Sequence, residues 1–265
     1  MRLLNIGSGS SGNSTYVGNE NTHILVDAGL SRKRVTEGLN EADLGLSDID
    51  AMLITHEHID HIASLGVLER TKEIPVFATK GTIEGILNTN SLGNFNKDML
   101  VPIEPDKEFE IGDITVKPLK ISHDAKEPVC FKIRDRKSNL AIVTDLGRYD
   151  DYLINELKDL DLLFLEANHD IRMLEVGPYP YSLKQRILGA KGHLSNEASG
   201  KFLNELLHDK IKKIILGHVS KENNTRDLAL LAVETEINLS ENEFKADDFE
   251  ILVARQNEKT KIIEA

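Results

Sequence analysis

Cysteine is nearly absent from this 265-residue chain, which has one thiol, Cys130. A single cysteine cannot form an internal disulfide, so the sequence excludes both a disulfide-stapled secreted fold and a cysteine-rich zinc module. Long apolar runs are also missing, because no stretch approaches the about 18 residues that a membrane span needs. We therefore expect a cytoplasmic protein without a membrane segment, whose function depends on residues other than cysteine.

Positive charge is also in short supply. The chain has 32 Lys and Arg against 44 Asp and Glu, a formal net charge of -12. Sequence-independent affinity for nucleic acids comes from many Lys and Arg contacts, so the acidic composition argues against a broad phosphate-binding surface and leaves a local cationic site open. With 40% hydrophobic residues and no repeat, low-complexity tract or Pro/Ser-rich linker, the sequence predicts one domain over residues 1–265.

Short apolar runs alternate with amphipathic segments, which predicts an α/β fold. The predicted strands are 3–6, 15–17, 24–26, 52–54, 76–77, 114–119, 129–133, 140–143, 162–165, 214–216 and 251–253. The predicted helices are 31–39, 59–70, 82–87, 150–158, 195–207 and 225–236. Segments 88–96 and 177–189 are predicted to be loops, and the second, with two tyrosines, suits either a lid over a site or an ordinary surface connection.

The strongest indication of chemistry is the segment 56–61, His-Glu-His-Ile-Asp-His, which follows a predicted strand. In an extended chain His56 and His58 point to the same side, so they can bind one metal ion together. If a helix then begins, Asp60 and His61 face a neighbouring direction and can serve a second ion roughly 3.5 to 4 Å away, the separation that two-metal hydrolases use. The spacing predicts a dinuclear site.

Three later residues stand where predicted strands end: His123, Asp145 and His218. A single His or Asp after a strand is usually structural. Sites on α/β scaffolds, however, collect at the edge where several strands present their ends. We therefore expect these three side chains to complete the metal site.

Together with Val-Asp-Ala-Gly at 26–29, these residues resemble the metallo-β-lactamase fold superfamily. The resemblance implies a four-layered αβ/βα sandwich with the site between two similar halves. It implies one ion on His56, His58 and His123, and a second on Asp60, His61 and His218, with Asp145 bridging. Asp27 would support the site without touching a metal, although from the residues alone it is equally a turn residue.

The ligand types narrow the chemistry within that superfamily. Its dinuclear β-lactamases use a cysteine in the second site, where this chain has Asp145, and Cys130 lies inside a predicted strand. Antibiotic hydrolysis is therefore disfavoured, because a bridging carboxylate is typical of the phosphodiesterase and glyoxalase II branches.

Two further segments favour phosphodiesters. Gly-His-Leu-Ser at 192–195 resembles the motif of ribonuclease Z and related nucleases whose histidine lies beside the leaving group, which assigns His193 as proton donor. By composition alone His193 is a polar residue at a helix entrance. Glu-Ala-Asn-His-Asp at 166–170 resembles a strand end of the same nucleases, which places Glu166 behind the site and His169 at the substrate.

The glycine- and serine-rich segment 7–13 is not a P-loop, because it lacks Gly-Lys-Ser/Thr and does not open a helix. It is either a tight hairpin turn or a ring of donors, with Ser11 and Asn13, that accepts a phosphate near the metals.

Four segments resemble the YycJ/WalJ group of bacterial metallo-hydrolases: the glycine- and serine-rich segment 7–13, and the segments 166–170, 192–195 and 217–224. That likeness implies a 5′-to-3′ DNA exonuclease with a suggested place in DNA repair and two divalent ions, zinc or manganese. Asp60 would orient or deprotonate the attacking water, and His193 would protonate the departing alkoxide. Two spacings argue against better-known relatives. His218 follows Asp145 by only 73 positions, which leaves no room for the extra domain that ribonuclease J has there. Asp145 follows His123 by only 22 positions, which leaves no room for the tRNA-binding arm of ribonuclease Z.

Three alternatives stay open from the sequence: a small-molecule cyclic phosphodiesterase, a thioester hydrolase of the glyoxalase II type, and a non-catalytic metal-binding module. The native metal, the strand polarity and assembly into a homo-oligomer are equally open.

Overall fold

The structure is a computed structural model that describes residues 1–256 and 258–265. Within these residues the strands form two mixed seven-stranded sheets. The first sheet has β1 (Arg2–Gly7), β2 (Ser14–Gly18), β3 (His23–Val26), β4 (Ala51–Leu53), β5 (Val76–Thr79), β6 (Leu100–Ile103) and β14 (Ile263–Glu264). The second has β7 (Phe109–Ile111), β8 (Ile114–Lys120), β9 (Val129–Arg134), β10 (Asn139–Val143), β11 (Leu162–Glu166), β12 (Lys213–Gly217) and β13 (Glu250–Val253). Their orders are β14-β1-β2-β3-β4-β5-β6 and β13-β12-β11-β10-β9-β8-β7.

Helices cover the outer face of each sheet. Those on the first sheet are α1 (Arg32–Leu39), α2 (Ile59–Ile62), α3 (Leu65–Thr71) and α4 (Lys80–Leu87). Those on the second are α5 (Asp151–Glu156), α8 (Asn196–Leu206) and α9 (Arg226–Leu239). Two further helices, α6 (Ile171–Val176) and α7 (Tyr181–Leu188), lie between β11 and α8 in the chain. No helix of the described residues has both the length and the apolar character to cross a membrane.

The hydrophobic core has three layers. Val17 and Ile24 of the first sheet share a buried cluster with Phe131 and Phe164 of the second, so the sheets pack face to face. Two outer clusters join each sheet to its own helices. The resulting order of helices, sheet, sheet and helices confirms the predicted four-layered αβ/βα sandwich.

The strand directions explain where the site forms. Strands β10, β11 and β12 are mutually parallel, and β8 runs the same way because β9 is antiparallel to both β8 and β10. In the first sheet β3 and β4 are parallel. The predicted metal ligands follow the ends of β4, β8, β10 and β12, whereas the loops after β3 and β11 carry Asp27 and His169.

Several local predictions were right and others were wrong. The Ser195 and Thr225 side chains cap α8 and α9, accepting hydrogen bonds from Ala198 and Leu228 N–H groups. The predicted helix 59–70 is divided into α2 and α3. The predicted loop 177–189 is wrong, because it contains α7; that helix has no buried residue, so it lacks the strong apolar stripe that marks a helix in a sequence.

Candidate metal centre

The first donor cluster contains three imidazoles. The Nε2 atom of His56 lies 3.1 Å from Nδ1 of His58, and Nε2 of His123 lies 3.2 Å from the same atom. Zinc–nitrogen bonds of about 2.0–2.1 Å in a tetrahedral site put two ligand nitrogens about 3.4 Å apart. The three rings therefore have the spacing of ligands to one ion, as the sequence predicts.

The second cluster forms around Asp145. Its Oδ2 atom lies 3.1 Å from Nε2 of His61 and 3.4 Å from Nδ1 of His218, while its Oδ1 atom lies 3.8 Å from Nε2 of His123. The carboxylate thus has one oxygen toward each cluster. The Asp60 Oδ2 atom lies 3.7 Å from Nε2 of His61, which brings all seven predicted ligands into one region.

Buried atoms in this region support a divalent cation. Among the described residues, Asp145 Oδ2 and His218 Nδ1 are buried without a hydrogen-bond partner. Leaving a buried polar atom unpaired is unfavourable by about 1–3 kcal/mol. A cation coordinated by both atoms would remove that penalty, so the residues present fit the metal ions that the sequence predicts.

The protonation states of His56, His123 and Asp145 suit metal binding, which requires neutral imidazoles and ionised carboxylates. Burial lowers the pKa of His56 well below its usual value and also lowers the pKa of His123. Although burial opposes it, the neighbouring His218 and His61 rings hold the pKa of Asp145 well below its usual range. The fold therefore prepares these three groups as ligands.

The backbone turns sharply at three of these positions. Asp27, Asp145 and His218 have φ angles of 62°, 58° and 53°. This left-handed conformation is uncommon outside glycine and is unfavourable by about 1–3 kcal/mol per residue where it is strained. At each site it turns the chain just after a strand, so that the side chain joins the cluster.

Asp27 holds His61 from behind. The Asp27 Oδ2 atom lies 2.8 Å from Nδ1 of His61, and its Oδ1 atom accepts hydrogen bonds from the backbone N–H and hydroxyl of Thr55. An acceptor on one ring nitrogen fixes the orientation of the other. Although burial opposes it, Asp27 and Asp145 raise the pKa of His61 well above its usual value. Asp27 therefore contacts a predicted ligand on the side away from the donor cluster, and its supporting role stays a prediction.

Glu166 is fully buried and links two site loops. Its carboxylate accepts hydrogen bonds from the backbone N–H groups of Asp145, at 2.9 Å, and Leu194, at 2.7 Å, and lies 3.1 Å from Nδ1 of His193. Against the effect of burial, it raises the pKa of His193 to about 9. With Nδ1 engaged by Glu166, Nε2 is the ring nitrogen of His193 left for a substrate. His193 also belongs to a group of donor atoms with Asp145, Glu166 and His218 that lie within 4.8 Å of one another.

Of the three predicted substrate-binding residues, Asn13 contacts a predicted metal ligand and the other two do not. Asn13 is buried, accepts a hydrogen bond from Gly9 N–H, and has its Nδ2 atom 2.9 Å from Nε2 of His61. Ser11 is exposed in the turn. His169 is 2% exposed, and burial lowers its pKa to about 4. In the described contacts neither Ser11 nor His169 reaches a ligand atom, so their roles stay predictions.

Two supporting residues have no local signal in the sequence. The Ser8 hydroxyl accepts a hydrogen bond from the His218 N–H at 3.0 Å, and the Asn168 amide donates to the His218 carbonyl at 2.9 Å. Both lie inside segments that the sequence marks, the glycine- and serine-rich turn and the stretch 166–170. Their contact with His218 depends on the tertiary fold.

Asp124 and Arg186 form a further supporting contact at the edge of the site. Asp124 has its Oδ1 atom 3.4 Å from Nε2 of His123, and the Arg186 guanidinium donates two hydrogen bonds to the Asp124 carboxylate. Arg186 belongs to α7, which the sequence predicts as a loop. The helix missed at the sequence level is thus tied to a ligand-bearing loop.

Comparison with known proteins identifies the family of this chain. Residues 22–218 match a family model described as a β-lactamase superfamily domain. This chain belongs to the metallo-β-lactamase fold superfamily. As a member with clustered His and Asp donors, it is a metal-dependent hydrolase that binds divalent metal.

Two curated relatives of this superfamily member are similar over most of their length. The exodeoxyribonuclease YycJ of Bacillus anthracis is 37% identical over 228 residues, which cover 86% of each chain. The exodeoxyribonuclease WalJ of Streptococcus pneumoniae serotype 2 (strain D39) is 38% identical over 232 residues, 88% of this chain and 86% of the relative. The crystal structure of the metallo-β-lactamase fold protein YhfI from Bacillus subtilis superposes with a TM-score of 0.72 over 98% of both chains, at 18% identity.

Proposed function

We propose that this metallo-β-lactamase fold protein is a two-metal phosphodiesterase that degrades DNA from the 5′ end and serves DNA repair. The observation that carries the proposal is the Asp145 carboxylate, with one oxygen toward each histidine cluster. Support for DNA as the substrate comes from the two relatives of 37% and 38% identity that are named exodeoxyribonucleases. The mixed imidazole and carboxylate donors suit both zinc and manganese.

The metal ions would be held by His56, His58 and His123 on one side and by Asp60, His61 and His218 on the other, with Asp145 between them. When bound, two divalent ions neutralise phosphate oxygens and make water a stronger nucleophile at neutral pH. The remaining chemistry falls to the side chains of this chain.

Asp60 is the group for the attacking water. Its side chain is one-fifth exposed, whereas the neighbouring ligands His56 and His61 are fully buried, so its carboxylate is open to solvent. The Asn13 amide donates to Asp60 Oδ2 at 3.4 Å and steadies it. Asp60 is thereby placed to orient the water and to accept its proton.

His193 is the group for the leaving oxygen. Glu166 fixes Nδ1 of the ring, so the proton for transfer sits on Nε2, and the nearby carboxylates favour the protonated form. The DNA alkoxide that leaves is a poor leaving group and requires a proton as the P–O bond breaks. Asp60 and His193 thus act on opposite ends of an in-line displacement.

A metal-by-substrate matrix on protein purified without chelators tests the proposal. The substrates are bis(p-nitrophenyl) phosphate, a 5′-labelled single-stranded DNA, a cyclic nucleotide and a thioester, each with zinc and with manganese. We expect turnover of the first two and early release of the 5′ label. His56→Ala should abolish metal binding and activity together, whereas His208→Ala, before β12 at the opposite end of the second sheet, should keep both.

The same matrix separates the alternatives. An intact DNA strand with a rapidly opened cyclic nucleotide identifies a small-molecule phosphodiesterase. Thioester hydrolysis without turnover of any of the three phosphodiesters identifies a glyoxalase II-type enzyme. Metal binding without turnover of any substrate identifies a non-catalytic module.

A further inference from the structure

A groove of about 590 Å³ lies beside the metal centre and collects cationic side chains. Its lining includes Lys120, Lys126, Arg148 and Lys191, together with the metal ligand His123. This volume is in the range of about 300–1,000 Å³ that small-ligand sites occupy. The groove therefore runs directly up to one of the predicted ligands.

The cations lie on, or directly beside, the loops that carry two predicted metal ligands and His193. Lys120 and Lys126 flank His123, while Arg148 follows Asp145 by three residues. Lys191 precedes His193 by two residues. The positions of these charges are thus coupled to the positions of the reacting groups.

Hydrogen bonds between the loops hold this arrangement together. The Gly147 N–H donates to the Ser122 carbonyl at 2.8 Å, and the Ser122 hydroxyl donates to the Ala190 carbonyl at 2.7 Å. One residue, Ser122, therefore joins the three loops that supply the cations. The groove is part of the ordered frame of the site.

Two carboxylates also line the groove, and both have partners. Asp106 pairs with Lys120 at 3.0 Å and accepts a hydrogen bond from the Tyr152 hydroxyl. Asp150 caps α5 by accepting from Leu153 N–H at 3.1 Å. Four cationic side chains against two carboxylates give the lining a formal charge of +2, in a chain whose net charge is -12.

Arg148 and Lys191 differ from the other two cations. Lys120 is paired with Asp106, and Lys126 with Glu84. Within residues 1–256 and 258–265, Arg148 and Lys191 are exposed and form no ion pair. They are the charges in the groove that are free to meet a ligand.

We propose that this groove binds backbone phosphates of the nucleic-acid strand next to the scissile bond, with Arg148 and Lys191 as the phosphate ligands. The inference rests on the proposed function, because it takes a nucleic-acid strand as the substrate. Grooves that track single strands combine positive charge with few sequence-specific contacts. In an acidic protein, a local groove of this kind supplies the attraction that the rest of the surface does not.

The test compares a groove variant with a matched control. The groove variant is Arg148→Gln with Lys191→Gln. The control is Arg136→Gln with Lys137→Gln, which removes the same charge from two exposed residues in the turn between β9 and β10. Metal-loaded proteins are assayed on a 5′-labelled 20-nucleotide strand and on the p-nitrophenyl ester of thymidine 5′-phosphate. Binding is measured at several salt concentrations with a phosphorothioate strand, which resists hydrolysis.

The groove variant should lose about tenfold more kcat/KM on the strand than on the mononucleotide ester. Its slope of log affinity against log salt should fall by about 1.4, because each phosphate contact to a single strand contributes about 0.7. The control should match the wild type in both measurements.

The outcomes separate this inference from the proposed function. If the wild type shortens the strand and the groove variant equals the control, the groove assignment is overturned and the proposed function stands. If the wild type leaves the strand intact but binds it, and only the groove variant weakens binding, the groove assignment stands and the proposed function fails. Absence of both binding and cleavage overturns both.

Discussion

Replacement of Gly29 by alanine should disrupt the second donor cluster, because the added methyl group would clash with the backbone of Asp60. A Cβ atom at Gly29 would lie 1.7 Å from the carbonyl oxygen of Asp60, whereas ordinary contact begins at 3.4 Å. The Asp60 backbone must therefore retreat by 3.4 minus 1.7, or about 1.7 Å. That backbone is also held by the Asn13 N–H, which donates to the Asp60 carbonyl at 2.8 Å.

The expected effects follow from this displacement. A misplacement of about 1 Å at a reacting group lowers the rate about 100-fold, so Gly29→Ala should lose at least about that much turnover. Overpacking should lower the free energy of unfolding by about 1–3 kcal/mol. For a protein of this size that corresponds to a fall in Tm of about 2–12 °C. Metal content should decrease as well, since Asp60 and His61 move together on α2.

Three measurements check the variant: turnover of bis(p-nitrophenyl) phosphate, metal content by elemental analysis, and Tm by calorimetry. Gly45→Ala is the matched control, because the nearest atom to its added Cβ lies at 3.6 Å, an ordinary contact. The control should retain activity, metal and Tm. A fully active Gly29→Ala enzyme with unchanged Tm and metal content would refute the steric reasoning.

Four further predictions concern three other groups. Asp27→Asn keeps the side-chain shape but replaces the carboxylate that faces His61 with a neutral amide, and should weaken metal binding about 10- to 100-fold in a metal titration. Unchanged metal affinity would contradict the role of Asp27. His193→Ala should lose about 10²- to 10⁴-fold turnover on DNA but much less on p-nitrophenyl esters, whose leaving group needs no proton, and equal losses would argue against proton donation. In metal-free protein the pKa of His193 is raised from its usual 6.5 to about 9, so protonated His193 should stabilise the fold fully below pH 6.5, and this stabilisation should disappear as the pH rises through 9. His193→Gln should remove this pH dependence from unfolding curves measured at a series of pH values. Burial raises the pKa of the Cys130 thiol to about 12, so a thiol reagent should label it only after unfolding, and rapid labelling of native protein would contradict its burial.

Local patterns in the sequence predict an α/β fold and a metal site at the strand ends, and the family resemblance of its motifs implies the four-layered sandwich and the division of the ligands between two ions. Apolar runs of strand length identify the central strands, and His or Asp directly after them identifies the site edge. Strands β6, β7 and β14 were missed because they lie at sheet edges and are only partly buried, so they lack the continuous apolar run of a central strand. In addition β6 contains Pro102, which is tolerated because the strand lies at the sheet edge.

Other features depend on contacts between distant residues. Ser8 and His218 are 210 residues apart in the chain, and no local pattern reports their hydrogen bond. Arg186 reaches Asp124 from a helix whose exposed side chains resemble a loop in composition. The extent of the domain and the roles of Ser11 and His169 stay predictions, because the geometry of the described residues does not decide them.

The most direct test of the account couples metal stoichiometry to DNA cleavage. Protein freed of metal with a chelator is titrated with zinc or manganese, while release of the 5′ label from single-stranded DNA is followed. The account predicts that release rises with added metal and reaches its plateau at two equivalents per chain. A plateau at one equivalent, or no release of the label at any metal loading, would contradict it.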